Sequence, residues 1–125
     1  MSYIGEIALI FIYIRDQLKL YHWMTKSYAR HKSSDALVDS LSEKMDKFIE
    51  TIQGIHSKRL SIPKNRNNMT FKNENDNSII VILEQFKEWL IFELPKFIKK
   101  NTDLLNIRDD ILSDVNNTLY LFTFN

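Results

Sequence analysis

Apolar residues recur at every third or fourth position in two long segments of the chain, which is the spacing of one face of an α-helix. The first segment covers about residues 3 to 25 and has Ile7, Ile10, Phe11, Ile14, Leu18 and Tyr21. The second covers about residues 28 to 53 and has Leu37, Leu41, Met45, Phe48 and Ile52. Gly54 follows, where a left-handed helix C-cap favours glycine. Two long amphipathic helices are therefore predicted.

Residues 54–77 lose this period and are rich in asparagine, which is typical of a long connection. We expect the connection to cross the bundle or to contain a short extra helix. A third helix is predicted to begin at Asp76–Ser78, and Pro95 should kink its last turns. A fourth, over about residues 103–122, has Thr102 as its expected cap.

The order of these elements predicts an all-α protein, a four-helix bundle with a long crossover connection between helices 2 and 3. A chain of 125 residues is expected to form a single domain, residues 1–125. It has only two glycines and two prolines, which argues against a turn-rich β protein.

Composition removes several classes of function. The chain has no cysteine, which excludes disulfides, thiolate nucleophiles and cysteine-based zinc sites. Its formal net charge of +1 gives no overall attraction to nucleic acid or acidic lipid. The apolar N-terminal stretch contains Glu6, lacks a basic region and a cleavage site, and is too short to cross a bilayer. We therefore expect a cytoplasmic protein without a membrane partner.

The candidate chemistry lies in two histidines and two carboxylates. His22 and His31 are nine residues apart in LYHWMTKSYARH, and Asp46 and Glu50 are four residues apart on one face of the second helix. At ~1.5 Å per residue, His31 lies about 22 Å from Asp46 along that helix, so one ion cannot contact both within one chain. If two second helices pack antiparallel about a two-fold axis, the histidines of one subunit meet the carboxylates of the other. A mixed imidazole and carboxylate site suits iron(II).

This pattern resembles the Dps family, the miniature ferritins of the ferritin-like superfamily. Dps proteins carry Leu-His-Trp, a second histidine about a dozen residues later, and D-x-x-x-E near the end of the second helix. His22 and Trp23 match the first motif, and His31 matches the second histidine if the connection is three residues shorter. TDLLNIRDDILSDVNNTLYLFTF is similar to the last helix of such proteins. The chain also resembles short ferritin-like proteins encoded by phages and large DNA viruses.

The resemblance implies a ferritin-like bundle that assembles as a homo-oligomer, a dimer at minimum and a dodecamer in the Dps family. It implies a ferroxidase that protects against oxidative damage, with a mono-iron or di-iron site between two subunits. The implied iron ligands are His22, His31, Asp46 and Glu50.

The chain departs from the family at several points. Lys47 and Thr51 replace the usual acidic and basic neighbours of the carboxylates, and the glycine after the tryptophan is missing. The basic N-terminal tail through which many Dps proteins bind DNA is absent. These differences leave a second hypothesis open, in which the chain is a non-catalytic bundle acting as a dimeric interaction or structural module.

Simpler interpretations stand beside the metal site. His22 can be a half-buried residue packed on Trp23, His31 a solvated residue in a basic stretch, and the carboxylates an ordinary polar helix face. Basic residues of the connection make DNA phosphate a candidate partner, although a solubilising loop is the simpler interpretation. They are Lys58, Arg59, Lys64, Arg66 and Lys72.

Overall fold

The computed structural model describes residues 2–64 and 69–124. All regular secondary structure in these ranges is helical, which confirms the predicted all-α class. The helices are α1 (Ser2–Met24), α2 (Tyr28–His56), α3 (Ser78–Glu88), α4 (Leu94–Ile98) and α5 (Thr102–Leu121). A π-helical turn, Trp89–Glu93, joins α3 to α4 without a break, so the chain forms four helical rods.

The core lies between the rods and is made of the residues whose spacing predicted the helices. α2 packs against α1 and α5, and α3 packs against the same two helices, so every rod has two neighbours. Phe11 of α1 is fully buried, and its ring meets Phe48 of α2 at 5.4 Å and Phe86 of α3 at 6.3 Å, both edge to face. This geometry is favourable for aromatic pairs and joins three rods in one cluster.

The connection after α2 returns along α1. At its beginning Ser61 lies against Gly5, where an added Cβ would be 1.9 Å from the Ser61 carbonyl oxygen. Farther on, the buried Gln17 side chain donates to the Lys72 carbonyl oxygen at 2.6 Å and accepts from the Lys72 N–H at 3.1 Å. A side-chain amide thus satisfies an isolated piece of backbone and fixes the connection to α1. The described parts of the connection, 57–64 and 69–77, contain no helix.

The two ends of the connection fix the directions of the rods. α2 ends beside the beginning of α1, where the Tyr3 hydroxyl lies 3.0 Å from His56 Nε2. α3 begins beside the end of α1, where Asp76 accepts hydrogen bonds from Tyr21 at 2.6 Å and Thr25 at 3.0 Å. α2 and α3 therefore both run antiparallel to α1. Among the described residues, no helix is long and apolar enough to cross a membrane.

Arg30 joins four chain segments at the head end, the end of the bundle where α1 finishes and α2 begins. Its guanidinium donates to the Tyr21 hydroxyl at 3.2 Å, to the Asp76 carbonyl oxygen at 2.6 Å and to the Phe122 carbonyl oxygen at 3.0 Å. It also lies 4.8 Å from the centre of the Phe122 ring. The planar fork of donors suits arginine to this role, which lysine could not fill.

Two helix boundaries differ from the prediction. α2 continues through Gly54 to His56, so the expectation that Gly54 is the C-cap was wrong. Ser57 adopts the left-handed conformation instead, with φ 51°, and its N–H reaches the carbonyl oxygens of Gln53 and Gly54. The cap of α5 is Asn101 rather than Thr102, because the Asn101 side chain accepts from the Leu104 N–H at 3.2 Å. An exposed glycine inside a helix costs only about 1 kcal/mol relative to alanine, so one glycine does not by itself end the helix.

A π-helical turn lies just before Pro95, the residue at which a kink is expected. The Leu94 N–H bonds the carbonyl oxygen of Trp89, five residues earlier. The Leu90 carbonyl oxygen then has Pro95 as its π-helical partner, and proline has no N–H to donate. Arg108 of α5 donates to that oxygen at 2.9 Å, which satisfies it. Arg108 on the neighbouring rod thus supplies the hydrogen bond that Pro95 cannot donate.

Gly5→Ala should lower the free energy of unfolding by about 1–3 kcal/mol, because the new Cβ collides with backbone that cannot move without dragging the connection. Gly54→Ala is the matched control: a Cβ there meets nothing within 4 Å. It should raise the free energy of unfolding by about 0.5–1 kcal/mol, since alanine is the better helix former. Urea unfolding of both variants checks this, and equal effects would contradict the packing of the connection on α1.

Arg108→Ala should cost about 1–3 kcal/mol of stability, because it leaves the Leu90 carbonyl oxygen without a donor. In a Pro95→Ala background the new N–H allows a regular helix, so the same substitution should cost much less. A double-mutant cycle by chemical unfolding measures the difference. The ion pair of Arg108 with Asp109 at 2.8 Å is exposed, so Asp109→Ala should change stability little and serves as the control.

The head end should make stability depend on pH at both extremes. The hydrogen bond from Tyr21 lowers the pKa of Asp76, so that contribution is complete above the unfolded pKa of about 3.9 and is lost as pH falls further. Burial raises the pKa of Tyr21, so its contribution is lost as pH rises above about 10. Asp76→Asn should remove the acid loss and Tyr21→Phe the alkaline loss in urea unfolding. An unchanged pH profile in either variant would contradict the assignment; Tyr120→Phe, at an exposed tyrosine, is the control.

Candidate metal centre

His22 and His31 lie face to face at the head end. His22 is on the last turn of α1 and His31 on the first turn of α2; their ring centroids are 3.9 Å apart, with planes inclined by 17°. His22 Nδ1 lies 2.7 Å from the His31 carbonyl oxygen, and His31 Nδ1 lies 2.8 Å from the His22 carbonyl oxygen. Each histidine therefore orients the other.

These hydrogen bonds set the tautomer of both rings. A carbonyl oxygen can only accept, so each Nδ1 carries the hydrogen and donates it. The Nε2 atom of each neutral ring then presents a lone pair. A ring that donates through one nitrogen to a backbone carbonyl and offers the other nitrogen is the usual arrangement of a metal-binding histidine.

A short link builds this pair. Ser27 caps α2, because its extended backbone allows the side chain to accept from the Arg30 N–H at 3.2 Å. The Ser27 N–H in turn bonds the Thr25 hydroxyl at 3.2 Å, so only residues 25–27 separate the two helices. A link this short forces the end of α1 and the beginning of α2 together and thereby brings His31 onto His22.

Asp35 is a further group at this site, which the sequence analysis did not single out. Its Oδ1 lies 3.8 Å from His22 Nε2 and 3.0 Å from Lys19 Nζ. The hydrogen bond with Lys19 holds the pKa of the Asp35 carboxyl below its usual range, which keeps it ionised. Its position four residues after His31 on one helix was the signal in the sequence. In this structure the Asp35 carboxylate is already paired with the ammonium group of Lys19.

Asp46 and Glu50 are exposed on α2 and do not join the histidines within one chain. In residues 2–64 and 69–124, no group of three or more His, Cys, Asp or Glu side chains is placed to hold a metal ion. Lys47, next to Asp46, is exposed and lines a groove with Asp103 and Asp110 of α5. A single copy therefore supplies two imidazoles and Asp35 at one end of α2 and two further carboxylates near the other end.

The exposed side of α2 is charged unevenly along its length. We call it the α2 stripe; it consists of Tyr28, Lys32, Ala36, Asp39, Glu43, Asp46, Lys47 and Glu50. Its first half carries Lys32 as its only charge, whereas its second half carries four carboxylates and one ammonium group. One half is thus complementary in charge to the other half in a second copy.

Large aromatic side chains flank the histidines. Trp23 is 66% exposed, whereas His22 is only 7% exposed and is covered by His31, so His22 is not a residue merely packed on Trp23. Tyr28 is 72% exposed, and its ring centre lies 6.4 Å from that of His31. These rings leave apolar surface open beside the candidate ligands.

The basic residues of the connection are exposed wherever the structure describes them. Lys58, Arg59, Lys64 and Lys72 have exposed side chains, and Arg66 lies outside the described residues. The Lys72 backbone is fixed to Gln17, which leaves its side chain on the surface. Lys58, Lys64 and Lys72 are thus open to solvent, as either a loop surface or a phosphate contact requires.

Comparison with known proteins identifies a family but no activity. No curated protein and no solved structure matches the chain. Residues 22–122, which include all four predicted ligands, match a family of unknown function (DUF5856). The match covers most of the chain, and the protein therefore belongs to this family.

Proposed function

We propose that the protein is a ferritin-like iron-binding protein that oxidises iron(II) at sites shared between two copies. The observation that carries this proposal is the stacked pair of His22 and His31, whose Nδ1 atoms are engaged by backbone carbonyl oxygens and whose Nε2 atoms offer lone pairs. Imidazole and carboxylate ligands together suit iron(II).

The path of the chain supports the ferritin-like part of the proposal. In such bundles a long crossover connects the second and third helices, which makes these two helices parallel. Here the connection follows α1 from Gly5 to Gln17, and α2 and α3 both run antiparallel to α1. The likeness in sequence to miniature ferritins and this course of the backbone are independent arguments.

The charges of the α2 stripe support the pairing of two copies. If two α2 helices pack antiparallel about a two-fold axis near residue 39, Lys32 of one copy faces Asp46 of the other, and Tyr28 faces Glu50. The basic half then meets the acidic half at both ends of the pair, and the exposed Tyr28 ring becomes covered. The same pairing places Asp46 and Glu50 of each copy near the histidines of the other and makes two identical sites.

In this proposal iron(II) is the substrate. The imidazoles of His22 and His31 fix its position, and Asp46 and Glu50 of the second copy neutralise its charge. Asp35 offers one more carboxylate once Lys19 releases it. Carboxylate ligands favour the more highly charged product, iron(III), and the electron passes to dioxygen or peroxide. Removal of free iron(II) in this way would protect the cell from oxidative damage, and a closed dodecameric shell would store the product.

A second candidate is a dimeric interaction module without catalysis. The ion pair of Lys19 with Asp35 favours it, because an ammonium group already neutralises the carboxylate nearest to His22 Nε2. Metal analysis of the purified protein together with its mass in solution separates the two. A dimer that takes up no iron would support the module.

The rate of iron(II) oxidation tests the proposed function. His22→Ala and Asp46→Ala should each lower the rate at least about tenfold, because each removes a direct ligand. Asp109→Asn is the matched control, since Asp109 is an exposed carboxylate of α5 that lies outside the α2 stripe and is not a proposed ligand. Absorbance of iron(III) after addition of iron(II), in air and with peroxide, measures the rate. Equal rates in all variants and wild type would exclude the proposal.

Mixed dimers test whether the site is shared. A dimer of one His22→Ala chain and one Asp46→Ala chain has one site without either ligand and one intact site, if the ligands come from different copies. Such a dimer, isolated through two different affinity tags, should regain about half of the wild-type rate. If each site is built within one chain, both sites stay defective and the rate stays low.

A further inference from the structure

A cleft at the head end lies between the end of α1 and the beginning of α3. It has a volume of about 360 Å³ and extends from Met24 and Lys26 to Glu74 and Asp76, which precede α3. A cleft of this size accommodates a small organic molecule and is much larger than an ion. No residue of its lining belongs to the α2 stripe, and α3 packs on α1 and α5, so the proposed pairing of two copies does not use it.

Glu74 is a buried acid without a partner. The residue is only 9% exposed, yet its carboxylate has no hydrogen-bond or ion-pair partner among residues 2–64 and 69–124. Within these ranges, every side-chain oxygen or nitrogen that is closed to solvent does have a partner. The Glu74 oxygens therefore reach solvent, and they do so at the cleft that Glu74 lines. A carboxylate buried to this degree is costly unless a donor or an opposite charge compensates it.

The second acid of the lining is already compensated. Asp76 accepts hydrogen bonds from Tyr21 and Thr25, and its carboxylate lies 4.0 Å from Arg30. Lys26 is exposed on the same cleft and pairs neither with Glu74 nor with another carboxylate of the described residues. The cleft thus contains one negative and one positive charge that do not neutralise each other.

A metal ion does not suit this lining. Ca²⁺ and Mg²⁺ take about six or more oxygen ligands, and Glu74 offers one uncompensated carboxylate. In the part of the chain that the structure describes, no group of three or more His, Cys, Asp or Glu side chains is placed to hold an ion. The ammonium group of Lys26 would also repel a cation that has no negative charge of its own. Met24, which is 39% exposed, adds apolar surface that favours an organic ligand.

We propose that the cleft binds a small α-amino acid with an apolar side chain. Its ammonium group donates to the Glu74 carboxylate, its carboxylate pairs with the ammonium group of Lys26, and its side chain covers Met24. Such a ligand carries both charges that the lining leaves unpaired. A plain amine would leave Lys26 without a partner, and a plain carboxylic acid would leave Glu74 without one.

The cleft is separate from the proposed iron site. His22 and His31 face each other between α1 and α2, whereas the cleft lies between α1 and α3. A substitution at Glu74 therefore leaves the histidine pair intact, and iron oxidation by Glu74→Gln is expected to equal that of wild type. The two proposals can fail independently.

Calorimetric titration of the unaltered protein with three probes tests the cleft. They are L-leucine, 3-methylbutylamine, which is leucine without its carboxylate, and 4-methylpentanoate, which is leucine without its ammonium group. Leucine should bind at least about tenfold more tightly than either analogue, because each analogue loses one charge-assisted hydrogen bond. This comparison needs no substitution, so it does not depend on the folding of a variant.

Two variants assign the charges. Glu74→Gln should weaken leucine binding at least about tenfold, because it removes the acceptor of the ammonium group. Lys26→Gln should weaken the binding of leucine but not that of 3-methylbutylamine, which has no carboxylate to pair. Glu88→Gln and Lys100→Gln are the matched controls, at exposed positions outside the lining of the cleft. Thermal unfolding verifies that all variants fold.

Four outcomes would overturn the proposal. They are no binding of leucine, equal leucine binding by Glu74→Gln and Glu88→Gln, and equal affinity of the wild-type protein for leucine and 3-methylbutylamine. The fourth is equal loss of leucine and 3-methylbutylamine binding in Lys26→Gln, which would contradict the pairing of Lys26 with the carboxylate of the ligand.

Discussion

The burial of the Arg30 guanidinium against backbone carbonyl oxygens is the interaction on which the head end depends. One side chain holds the end of α1 through Tyr21, the beginning of α3 through Asp76 and the end of α5 through Phe122. Partly desolvated charge of this kind is tolerated only when its donors are matched, and three of them are. The histidine pair is built on two of the segments that Arg30 joins, the end of α1 and the beginning of α2.

The histidine pair shows how little sequence is needed to prepare a ligand site. Three residues of link and one capped helix bring two rings into contact, and two backbone carbonyl oxygens select the tautomer of both. No buried carboxylate is needed to orient the rings, because backbone carbonyl oxygens accept the hydrogens of both Nδ1 atoms. The arrangement prepares imidazole ligands on one copy and leaves the remaining ligands to a second, which couples any iron chemistry to association.

Much of the fold could be predicted from the sequence, because apolar spacing directly reflects which side of a helix is buried. The predicted apolar face of α1 from Ile7 to Tyr21 is buried except for Ile10, which is partly buried against the core, and α3 begins at Ser78 as predicted. Interactions between residues far apart in the chain could not be predicted from the sequence. The match of Arg108 to the carbonyl group freed by Pro95, and the course of the connection along α1, depend on tertiary contacts with no local signature.

The candidate site, too, could be predicted from the sequence only in part. His22 and His31 were singled out from their spacing and their neighbours, and the structure brings them together. Asp35 lies one turn after His31, but a carboxylate at that spacing is common on the polar face of a helix and does not by itself indicate a ligand. Glycine favours the left-handed conformation of a helix C-cap but does not require it. α2 therefore continues through Gly54 and ends at His56.

The contacts of the connection also bear on the order in which the chain can fold. Gln17 and Lys72 are 55 positions apart, so their hydrogen bonds form only after a large loop has closed. α1 and α2 are separated by a three-residue link and meet at little entropic cost. The antiparallel pair of α1 and α2, with its two histidines in place, can therefore form before the third rod docks. During synthesis, the half of the molecule that carries the proposed ligands therefore emerges from the ribosome first.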